Sequence, residues 1–505
     1  MVGAVLELVF TPDRSDAAPL SRQLAVYLRG LIEADRLPAG GKLPATRELA
    51  ATLGLSRATV SLAYEELVAA GLLTAHVGQG TFVAAPATRT VRLAPTSSVE
   101  SRNFVWSGLL AVRARALPLP SRLLSGTPEP PRFDFRGGQV DLESLPTSEI
   151  RRAFADVIGS RLPALASDKD PRGWPPLRRA IARYLVGRGI ACEANEVAVV
   201  NGAQQAIDLV ARVLLDPGDT VVMEQPGYFG ATLAFTAAQA HLVGVRVDED
   251  GLRIGDLARI LRARRAKLIY TTPAAQSPTG AVLSAERRRA LLALADEHQV
   301  PVFEDDYDSE LRYEGAPIAA LKTLDRAGQV IYAGTFSKVL FPSLRVGYVV
   351  AARPLLDKMV LARWNADVGT GTITQAALAA LLERGGLERH LRRVRRVYAA
   401  RLAAMLATLD ETMPAGTVWT RPRGGHGIWM TLPPAVDPEA LARAAGAAGI
   451  AYTRGDVFYA DGRGTENVHL SFAALTPDAI RAGIRLLADL VRAHGAGRQR
   501  RRSAR

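Results

Sequence analysis

Short apolar segments alternate with helical patterns from residue 133 onward, and no other feature of the sequence limits the fold as strongly. Turn residues bound each segment on both sides. Strands that are separated by helices form mostly parallel sheets covered by those helices. Beyond Pro354 the pattern becomes helical and then mixed. We therefore predict an α/β domain over 133–490, with a mostly parallel sheet and a smaller C-terminal α+β subdomain. The predicted strands are 197–200, 220–223, 267–270, 300–303, 329–333 and 347–350.

Length and composition indicate a globular, multidomain chain. Its 505 residues are too many for one ordinary domain, and 48% of them are hydrophobic while 22% are charged. The single cysteine, Cys192, excludes a disulfide framework and fits a reducing compartment. The N-terminus lacks the basic start of a signal peptide, and no segment approaches the ~20 apolar residues that span a membrane. We therefore expect a cytoplasmic protein without membrane contacts.

Positive charge is concentrated outside the N-terminal region. The formal net charge is +13, yet residues 1–88 hold nearly equal numbers of acidic and basic side chains. The surplus lies in 85–132, which is rich in Ala, Pro, Arg and Ser, and in the arginine-rich segment 491–505. We predict a semi-rigid linker over 85–132 and a basic, disordered tail over 491–505. Net charge alone therefore does not argue for DNA binding.

Residues 1–84 carry the pattern of a winged helix-turn-helix, which is mainly α with a β-wing. Apolar spacing predicts a first helix over 20–37. Thr46 is placed to cap a second helix, and Gly54 makes the turn after it.

The second half of the pattern supplies a third helix and the wing. Ser56 is placed to cap a helix over 57–70, which Gly71 ends. A hairpin follows over 72–83, with Gly78-Gln79-Gly80 at its tip.

Helix-turn-helix geometry predicts which residues contact DNA. The N-terminal residues of the third helix would contact base edges in the major groove, where Arg57 can form a bidentate contact with a guanine or bind a phosphate. Arg47 would touch the backbone, and the glycine tip of the wing would lie along the minor groove. A small helical domain with solvated arginines is the alternative. The predicted contact residues are Arg47, Ser56, Arg57, Thr59 and Gly80.

Four motifs make this pattern more specific than helix spacing alone. They are Leu43-Pro-Ala-Thr-Arg-Glu-Leu-Ala, Leu55-Ser-Arg-Ala-Thr-Val, Tyr64-Glu-Glu-Leu and Gly80-Thr-Phe-Val. Together they resemble the winged helix of the GntR family of bacterial transcription regulators. The resemblance implies binding to double-stranded operator DNA. Ser61 departs from members that carry an arginine at its place.

Lys338 is flanked by groups that bind phosphate. Thr335 and Ser337 precede it and Arg345 follows it, so hydroxyls and a guanidinium surround one amine. A lysine after a strand is most often a surface residue, and this alternative stays open for Lys338 taken alone. With these neighbours it looks like the Schiff-base lysine of an enzyme that uses pyridoxal 5′-phosphate (PLP).

PLP chemistry also needs an anion beside the pyridine nitrogen. Asp305 follows the apolar segment 300–303, at the end of a strand where α/β sheets place their ligands. Tyr307 is placed to donate to the phenolic oxygen of the cofactor. The neighbouring acids are an alternative metal site, but their spacing lacks the usual ligation patterns, so we expect no metal. These acids are Glu304, Asp306, Asp308 and Glu310.

Two further segments supply a phosphate turn and an aromatic ring. Gly202, Ala203 and Gln204 open a helix after the predicted strand 197–200, where free backbone N–H groups bind phosphate. Tyr228 is a candidate for the ring that stacks on the pyridine, and a core tyrosine is the alternative.

The order of these segments resembles the fold-type I aminotransferases of class I/II over roughly 133–490. With the GntR-type head, the whole chain resembles the MocR subfamily of PLP-dependent transcription regulators. The resemblance implies PLP bound to Lys338 and a homodimer with cofactor sites at the subunit interface. Ser277 stands where this group usually has an asparagine beside the cofactor ring. His469 stands where many members have an arginine for the substrate carboxylate, which favours an unusual amine, or PLP itself, as the ligand.

The sequence thus predicts a transcription regulator that binds operator DNA through 1–84. It would sense PLP, or an amine or amino acid, through an aldimine at Lys338. One alternative is a working PLP-dependent aminotransferase with an accessory DNA-binding domain. Another is a repressor whose C-terminal domain only dimerises.

Overall fold

The computed structural model divides the chain into two compact units, Met1–Trp106 and Ser107–Arg505. Most of the predicted linker over 85–132 lies outside the described residues, so the tether stays a prediction. The structure describes residues 10–13, 18–33, 36–76, 80–84, 109–115, 117, 130–160, 162–167, 170–315 and 318–503.

Three helices and a hairpin form the first unit, which confirms the predicted winged helix-turn-helix. The hairpin strands are antiparallel, with Leu73 opposite Val83. Leu24 and Leu28 from the first helix pack with Val60 and Leu67 from the third, and all four are fully buried. This core is what the apolar spacing of the sequence predicted. The elements are α1 (Leu20–Glu33), α2 (Thr46–Leu53), α3 (Arg57–Ala69), β1 (Leu73–His76) and β2 (Gly80–Val83).

The two predicted helix caps of this unit have different outcomes. Ser56 caps α3, because its Oγ accepts a hydrogen bond of 3.0 Å from the backbone N–H of Thr59. The prediction for Thr46 is wrong by one residue: α2 begins at Thr46, and Ala45 occupies the cap position without a side-chain bond. The Tyr64 hydroxyl donates to the carbonyl of Pro44 at 2.9 Å and so holds the chain just before α2.

The second unit contains a large sheet and a smaller one. Each of the six predicted strands is present, with ends that differ by at most three residues. The strands are β3 (Phe133–Asp134), β4 (Val197–Val200), β5 (Thr220–Gln225), β6 (His241–Asp248), β7 (Gly251–Leu252), β8 (Leu268–Thr271), β9 (Val302–Asp306), β10 (Val330–Thr335), β11 (Gly347–Val350), β12 (Val418–Trp419), β13 (Gly427–Thr431), β14 (Ile450–Ala451), β15 (Thr453–Arg454) and β16 (Asn467–Ser471).

Helices cover the large sheet and form much of the smaller subdomain. In chain order they are α4 (Val112–Arg115), α5 (Thr147–Ser160), α6 (Leu162–Ala166), α7 (Pro175–Val186), α8 (Ala203–Leu214), α9 (Phe229–Ala237), α10 (Ile254–Ala263), α11 (Ala285–Glu297), α12 (Leu321–Leu324), α13 (Arg353–Asp367), α14 (Thr372–Glu383), α15 (Gly386–Thr412), α16 (Pro438–Ala447) and α17 (Pro477–Ser503).

The large sheet has eight strands in the order β4-β11-β10-β9-β8-β5-β6-β7. The pairs along β10-β9-β8-β5-β6 are parallel, whereas β11 is antiparallel to both of its neighbours and β7 to β6. The four residues of β4, β8 and β11 are all buried, as expected for strands covered on both faces. The prediction of a mostly parallel sheet is confirmed. Strand β6 escaped prediction because it is partly exposed and lacks a continuous buried apolar pattern; the two-residue strand β7 covers only its last residues.

The smaller subdomain contains the antiparallel sheet β12-β13-β16-β15 and the packed helices α15 and α17. Strand β3, at the start of the predicted α/β domain, pairs with β14 of this subdomain. Helix α17 continues through Ser503, although the sequence predicted a disordered tail from 491. That prediction is wrong at its start, because Val491 is fully buried and extends the apolar pattern of Ile484 and Leu487. Among the described helices, none is long and apolar enough to cross a bilayer.

Candidate functional site

Asp305 lies near the carboxyl end of β9, opposite Ala333 of β10, and is 2% exposed. Its Oδ2 accepts a hydrogen bond of 2.6 Å from the hydroxyl of Tyr270, on the neighbouring strand β8. Its Oδ1 has no hydrogen-bond partner among the described residues. Burial raises the pKa of Asp305 to about 7, although the Tyr270 hydrogen bond acts to lower it. A buried carboxylate with one free oxygen is suited to a cationic N–H donor.

Lys338 follows the adjacent strand β10 by three residues, which places it beside Asp305 at the same edge of the sheet. Burial lowers the pKa of the Lys338 ammonium, and the negative charges of Asp308 and Asp305 oppose that effect. A lower pKa increases the neutral fraction of the amine near pH 7, and the neutral amine is the nucleophile.

The turn before α8 faces the guanidinium of Arg345. Gly202 has φ +83, and a Cβ added there would lie 3.2 Å from Arg345 Nη2. Arg345, itself left-handed at φ +51, donates to the carbonyl of Asn201 at 2.5 Å. Ala203 is the first residue of α8, so the free N–H groups of its first turn lie beside the same charge. Together they offer a guanidinium and free backbone N–H groups, which are the donors that bind a phosphate dianion.

Two hydroxyls lie at the end of β10 and just after it, on Thr335 and Ser337. The buried Oγ of Ser337 has no partner within the ranges that the structure describes. Thr335 Oγ1 accepts from the backbone N–H of Ser337 at 3.2 Å. The free hydroxyl of Ser337 is therefore available for a ligand, and Thr335 holds the turn that presents it.

Tyr228 is partly buried, within reach of the charges of both Asp305 and Arg345. Burial raises its pKa to about 12, the charge of Asp305 adds to that shift, and Arg345 opposes it. Its hydroxyl donates to Gln204 Oε1 at 3.2 Å, and Gln204 Nε2 donates to the carbonyl of Gly230 at 2.8 Å. Gln204 thus joins the start of α8 to the start of α9.

Tyr307 and Ser277 lie in one neighbourhood, as the sequence analysis expected of residues around a single ring. The Tyr307 hydroxyl donates to the carbonyl of Ala275 at 2.8 Å. The Ser277 side chain forms a hydrogen bond with the Tyr307 hydroxyl. The donation from Tyr307 to a cofactor stays a prediction.

The other acids of the 304–310 segment have protein partners. Glu304 accepts from two backbone N–H groups at the start of α12, each at 2.8 Å. Asp306 and Glu310 lie 2.7 and 2.6 Å from the guanidinium of Arg188, a residue that sequence reasoning missed. In the described part of the chain, no cluster of three or more His, Cys, Asp or Glu could hold a metal ion. These carboxylates therefore anchor α12 and α7 to the sheet.

Two uncharged histidines lie near Lys338. A Cβ on Gly137 would lie 3.3 Å from Cε1 of His469, and one on Gly427 would lie 2.3 Å from its Nε2. Burial, together with the Lys338 charge, lowers the pKa of His469 to about 4 and that of His426 to about 3. His426 Nδ1 lies 3.3 Å from Asp308 Oδ2. Sequence reasoning missed His426, for which the glycine-rich turn 424–427 was the only signal.

These residues fit PLP on three independent observations. Among the described residues, Asp305 has a buried oxygen without a partner, Ser337 has a buried hydroxyl without a partner, and Gly202 leaves room against a guanidinium. In this arrangement Asp305 would hold the ring nitrogen, the turn at Gly202 with Ser337 and Arg345 would hold the phosphate, and Lys338 would supply the amine.

The predicted DNA-contacting residues lie on three elements: Arg47 on α2, Ser56, Arg57 and Thr59 at the start of α3, and Gly80 on β2. Arg47 and Arg57 are exposed and form no ion pair with any residue described. The Oγ of Ser56 already accepts the capping hydrogen bond from the Thr59 N–H, and it also lies 2.8 Å from Thr59 Oγ1. At the wing, Gly80 has φ +113 and a Cβ there would lie 2.9 Å from the Lys42 side chain. Lys42, which sequence reasoning did not propose, therefore adds a cation to the wing.

Comparisons with known proteins agree with this two-part organisation. The family model for aminotransferase class I and II matches residues 137–487, and that for bacterial regulatory proteins of the gntR family matches 20–83. The probable rhizopine catabolism regulatory protein MocR of Rhizobium meliloti is 35% identical over 477 residues, covering 94% of each chain. The HTH-type transcriptional regulator TauR of Rhodobacter capsulatus is 35% identical, covering 90% of this chain and 93% of that one.

Solved structures resemble the second unit. LysN, the α-aminoadipate aminotransferase of Thermus thermophilus complexed with N-(5′-phosphopyridoxyl)-L-leucine, has a TM-score of 0.73 and 34% identity, covering 78% of this chain and 100% of that one. The family is PLP-dependent, and PLP is its cofactor. Because similar regulators match along nearly their whole length, this chain belongs to the MocR subfamily of GntR-type transcription regulators, which join a winged helix-turn-helix to a PLP-type aminotransferase domain.

Proposed function

We propose that this regulator binds operator DNA through its winged helix and changes that binding according to what occupies the site at Lys338. The occupant is PLP alone, or PLP together with a primary amine. The observation that carries the proposal is the buried Oδ1 of Asp305, which has no hydrogen-bond partner among the described residues, beside Lys338, whose pKa is lowered by burial, in a chain that also matches a GntR-type DNA-binding family.

Lys338 is the residue through which an amine would be detected. The chemistry that PLP supplies when bound is an aldehyde carbon that primary amines attack. Lys338 would compete with a free amine for that carbon, and its lowered pKa favours the neutral, nucleophilic amine. Asp305 would hold the protonated ring nitrogen, and the Gly202 turn with Arg345 would hold the phosphate.

The neutral histidines bear on the class of amine. His469 and His426 carry no charge near pH 7, because burial and Lys338 hold their pKa values far below it. Neither side chain therefore offers a cation to a carboxylate. This supports an amine without an α-carboxylate, or PLP itself, as the ligand.

A homodimer is part of the proposal, since two winged-helix units related by two-fold symmetry can bind two half-sites. Leu361, Trp364 and Val368 lie on one face of α13 and its C-terminal end and are 59%, 46% and 60% exposed. Exposed apolar faces of this kind mark interfaces. Asp367 in the same stretch accepts from Asn201 at 2.5 Å, which ties this face to the phosphate turn.

Binding to a labelled fragment from upstream of the protein's own gene tests the proposal. We expect specific binding that changes with saturating PLP, and no PLP response in Lys338→Ala protein. Specific binding by Lys338→Ala with the same PLP response would overturn the sensing role. Rapid multiple turnover of an amino acid and keto acid, without specific DNA binding, would favour an aminotransferase instead.

A further inference from the structure

A cluster of basic side chains occupies the connection between α10 and β8. Within residues 262–267, termed here the basic turn, four of six side chains are cationic, and all four are exposed. Leu261 and Ala266 are 5% and 7% exposed and fix the turn to the body of the unit. The apolar residues therefore point inward and the cations outward. The cations are Arg262, Arg264, Arg265 and Lys267.

The cations of the basic turn lack acidic partners. None of the four forms an ion pair with a residue in the described ranges, and the one polar neighbour is His241, whose Nε2 lies 3.1 Å from Arg264. Many exposed arginines elsewhere in the unit are paired, as Arg212 is with Asp208 at 2.7 Å and Arg481 with Asp478 at 2.9 Å. The positive charge of the basic turn is therefore left uncompensated by the fold.

An open groove runs beside the basic turn. Its volume is about 620 Å³, and its other walls are residues 298–301 and Leu214. No acidic side chain lines it. Four like charges within six residues repel one another, and that repulsion is relieved by water and salt or by an anionic partner.

The basic turn is separate from the site at Lys338. Lys267 immediately precedes β8 and Pro301 immediately precedes β9, so the groove lies at the amino ends of these parallel strands. Asp305 lies near the carboxyl end of β9. The basic turn therefore lies at the opposite edge of the sheet and has no part in binding PLP.

The geometry favours a polyanion over a small anion. Small anions are held by enclosed, fixed donors, whereas these side chains are long, exposed and spread along a groove. Duplex DNA carries about one negative charge per 1.7 Å of its axis, which suits a row of mobile cations. The winged helix itself lacks a basic surplus, since residues 1–88 are nearly neutral. A strong electrostatic contribution to DNA affinity therefore needs cations from outside the winged helix.

We propose that the basic turn contacts the phosphate backbone of DNA that flanks the site held by the winged helix. The inference rests on the proposed function, because it presupposes that the protein is bound to DNA. The aminotransferase-type unit would then contribute part of the DNA affinity, and this part would be independent of sequence and would fall as salt rises.

The test compares wild-type protein with the quadruple variant R262Q/R264Q/R265Q/K267Q on a random-sequence duplex of about 60 base pairs, roughly 200 Å long. The dissociation constant is measured by fluorescence anisotropy over a series of salt concentrations. Each phosphate contact contributes about 0.9 to the slope of log K against log salt. We expect the slope of the variant to be shallower by about two to three units.

The control removes four exposed arginines that have partners in the fold, in the variant R421Q/R481Q/R485Q/R492Q. It lowers net charge by the same amount, and we expect it to keep most of the wild-type slope. Equal slopes in wild-type and basic-turn variant overturn the inference, as does an equal loss in both variants. Absence of binding by the wild-type protein both to this duplex and to the fragment upstream of its own gene would instead reject the proposed function.

Discussion

The hydroxyl of Tyr270 donates a hydrogen bond of 2.6 Å to Oδ2 of Asp305 and leaves Oδ1 of that carboxylate free among the described residues. The two side chains come from neighbouring strands, β8 and β9. Tyr270 is fully buried, so the bond is shielded from water. It favours the ionised form of Asp305 and orients the free oxygen that we assign to the pyridine nitrogen.

Replacing Tyr270 with Phe removes this bond and keeps the ring. We expect PLP to bind about tenfold more weakly, because a hydrogen bond to a charged group contributes about 1.5–3 kcal/mol. Titration of the apoprotein with PLP, followed by absorbance, measures the change. Phe303→Leu alters a neighbouring buried ring without touching the carboxylate and serves as the control. Unchanged PLP affinity in Tyr270→Phe would contradict the assigned role.

The stability of the apoprotein should depend on pH through Asp305. Its folded pKa of about 7 lies above the ordinary value of 3.8, so the folded state holds the proton more tightly. The resulting stabilisation is present below about pH 4 and is lost as pH rises to 7. The loss is on the order of 4 kcal/mol for a pKa that rises from 3.8 to about 7. Urea unfolding at several pH values measures it.

Asp305→Asn is the matched variant for this pH dependence. Because its side chain does not titrate, we expect a flatter profile between pH 4 and 7, measured as the difference from wild type. Glu304 also has a pKa raised to about 7 by burial, so some dependence remains in the variant. Added PLP should raise the stability of the wild-type protein at pH 7 and above, since the ring cation would compensate the charge of the buried carboxylate. Identical profiles for wild type and Asp305→Asn would refute the assignment.

Local patterns predicted the strands, the helices and the order of candidate residues, because these depend on neighbours in the sequence. Asp305 and Lys338 were predicted from motifs of a few residues each. Tyr270 was missed because it lies 35 residues from Asp305 and reaches it only through the pairing of β8 with β9. Arg188 was missed for the same reason, since it lies just after α7 and forms its ion pair with Glu310 across 122 residues of sequence.

His469→Arg should change the preference among amines. A guanidinium beside the glycines at 137 and 427 would offer a carboxylate the charge that neutral His469 lacks. We expect alanine to gain about tenfold or more in apparent affinity relative to ethylamine, measured from the absorbance of bound PLP. His469→Gln is the neutral control and should keep the wild-type preference. A wild-type protein that already prefers alanine strongly would contradict our inference on the ligand class.

Substitutions at the start of α3 should separate folding from DNA contact. Ser56→Ala removes the cap to Thr59 and is expected to reduce the unfolding free energy of the first unit by about 1 kcal/mol. Arg57→Gln should leave stability unchanged, because Arg57 is exposed, and should weaken specific DNA binding by about 1–3 kcal/mol. Thermal unfolding and anisotropy titrations measure the two effects. Full DNA affinity in Arg57→Gln would remove it from the interface.

Trp364→Glu tests the proposed dimer. The substitution places a charge at the centre of the exposed apolar face formed with Leu361 and Val368, where a second copy would bury the ring. We expect the protein to sediment as a monomer, because burial of a large apolar side chain contributes about 1.5–3 kcal/mol and an unpaired buried charge costs more. PLP affinity should fall as well, since Asp367 links this face to Asn201 at the phosphate turn. Val418→Glu, at a site that is 65% exposed on β12, is the control and should change neither property. A Trp364→Glu protein that sediments as a dimer would show that the partner docks elsewhere.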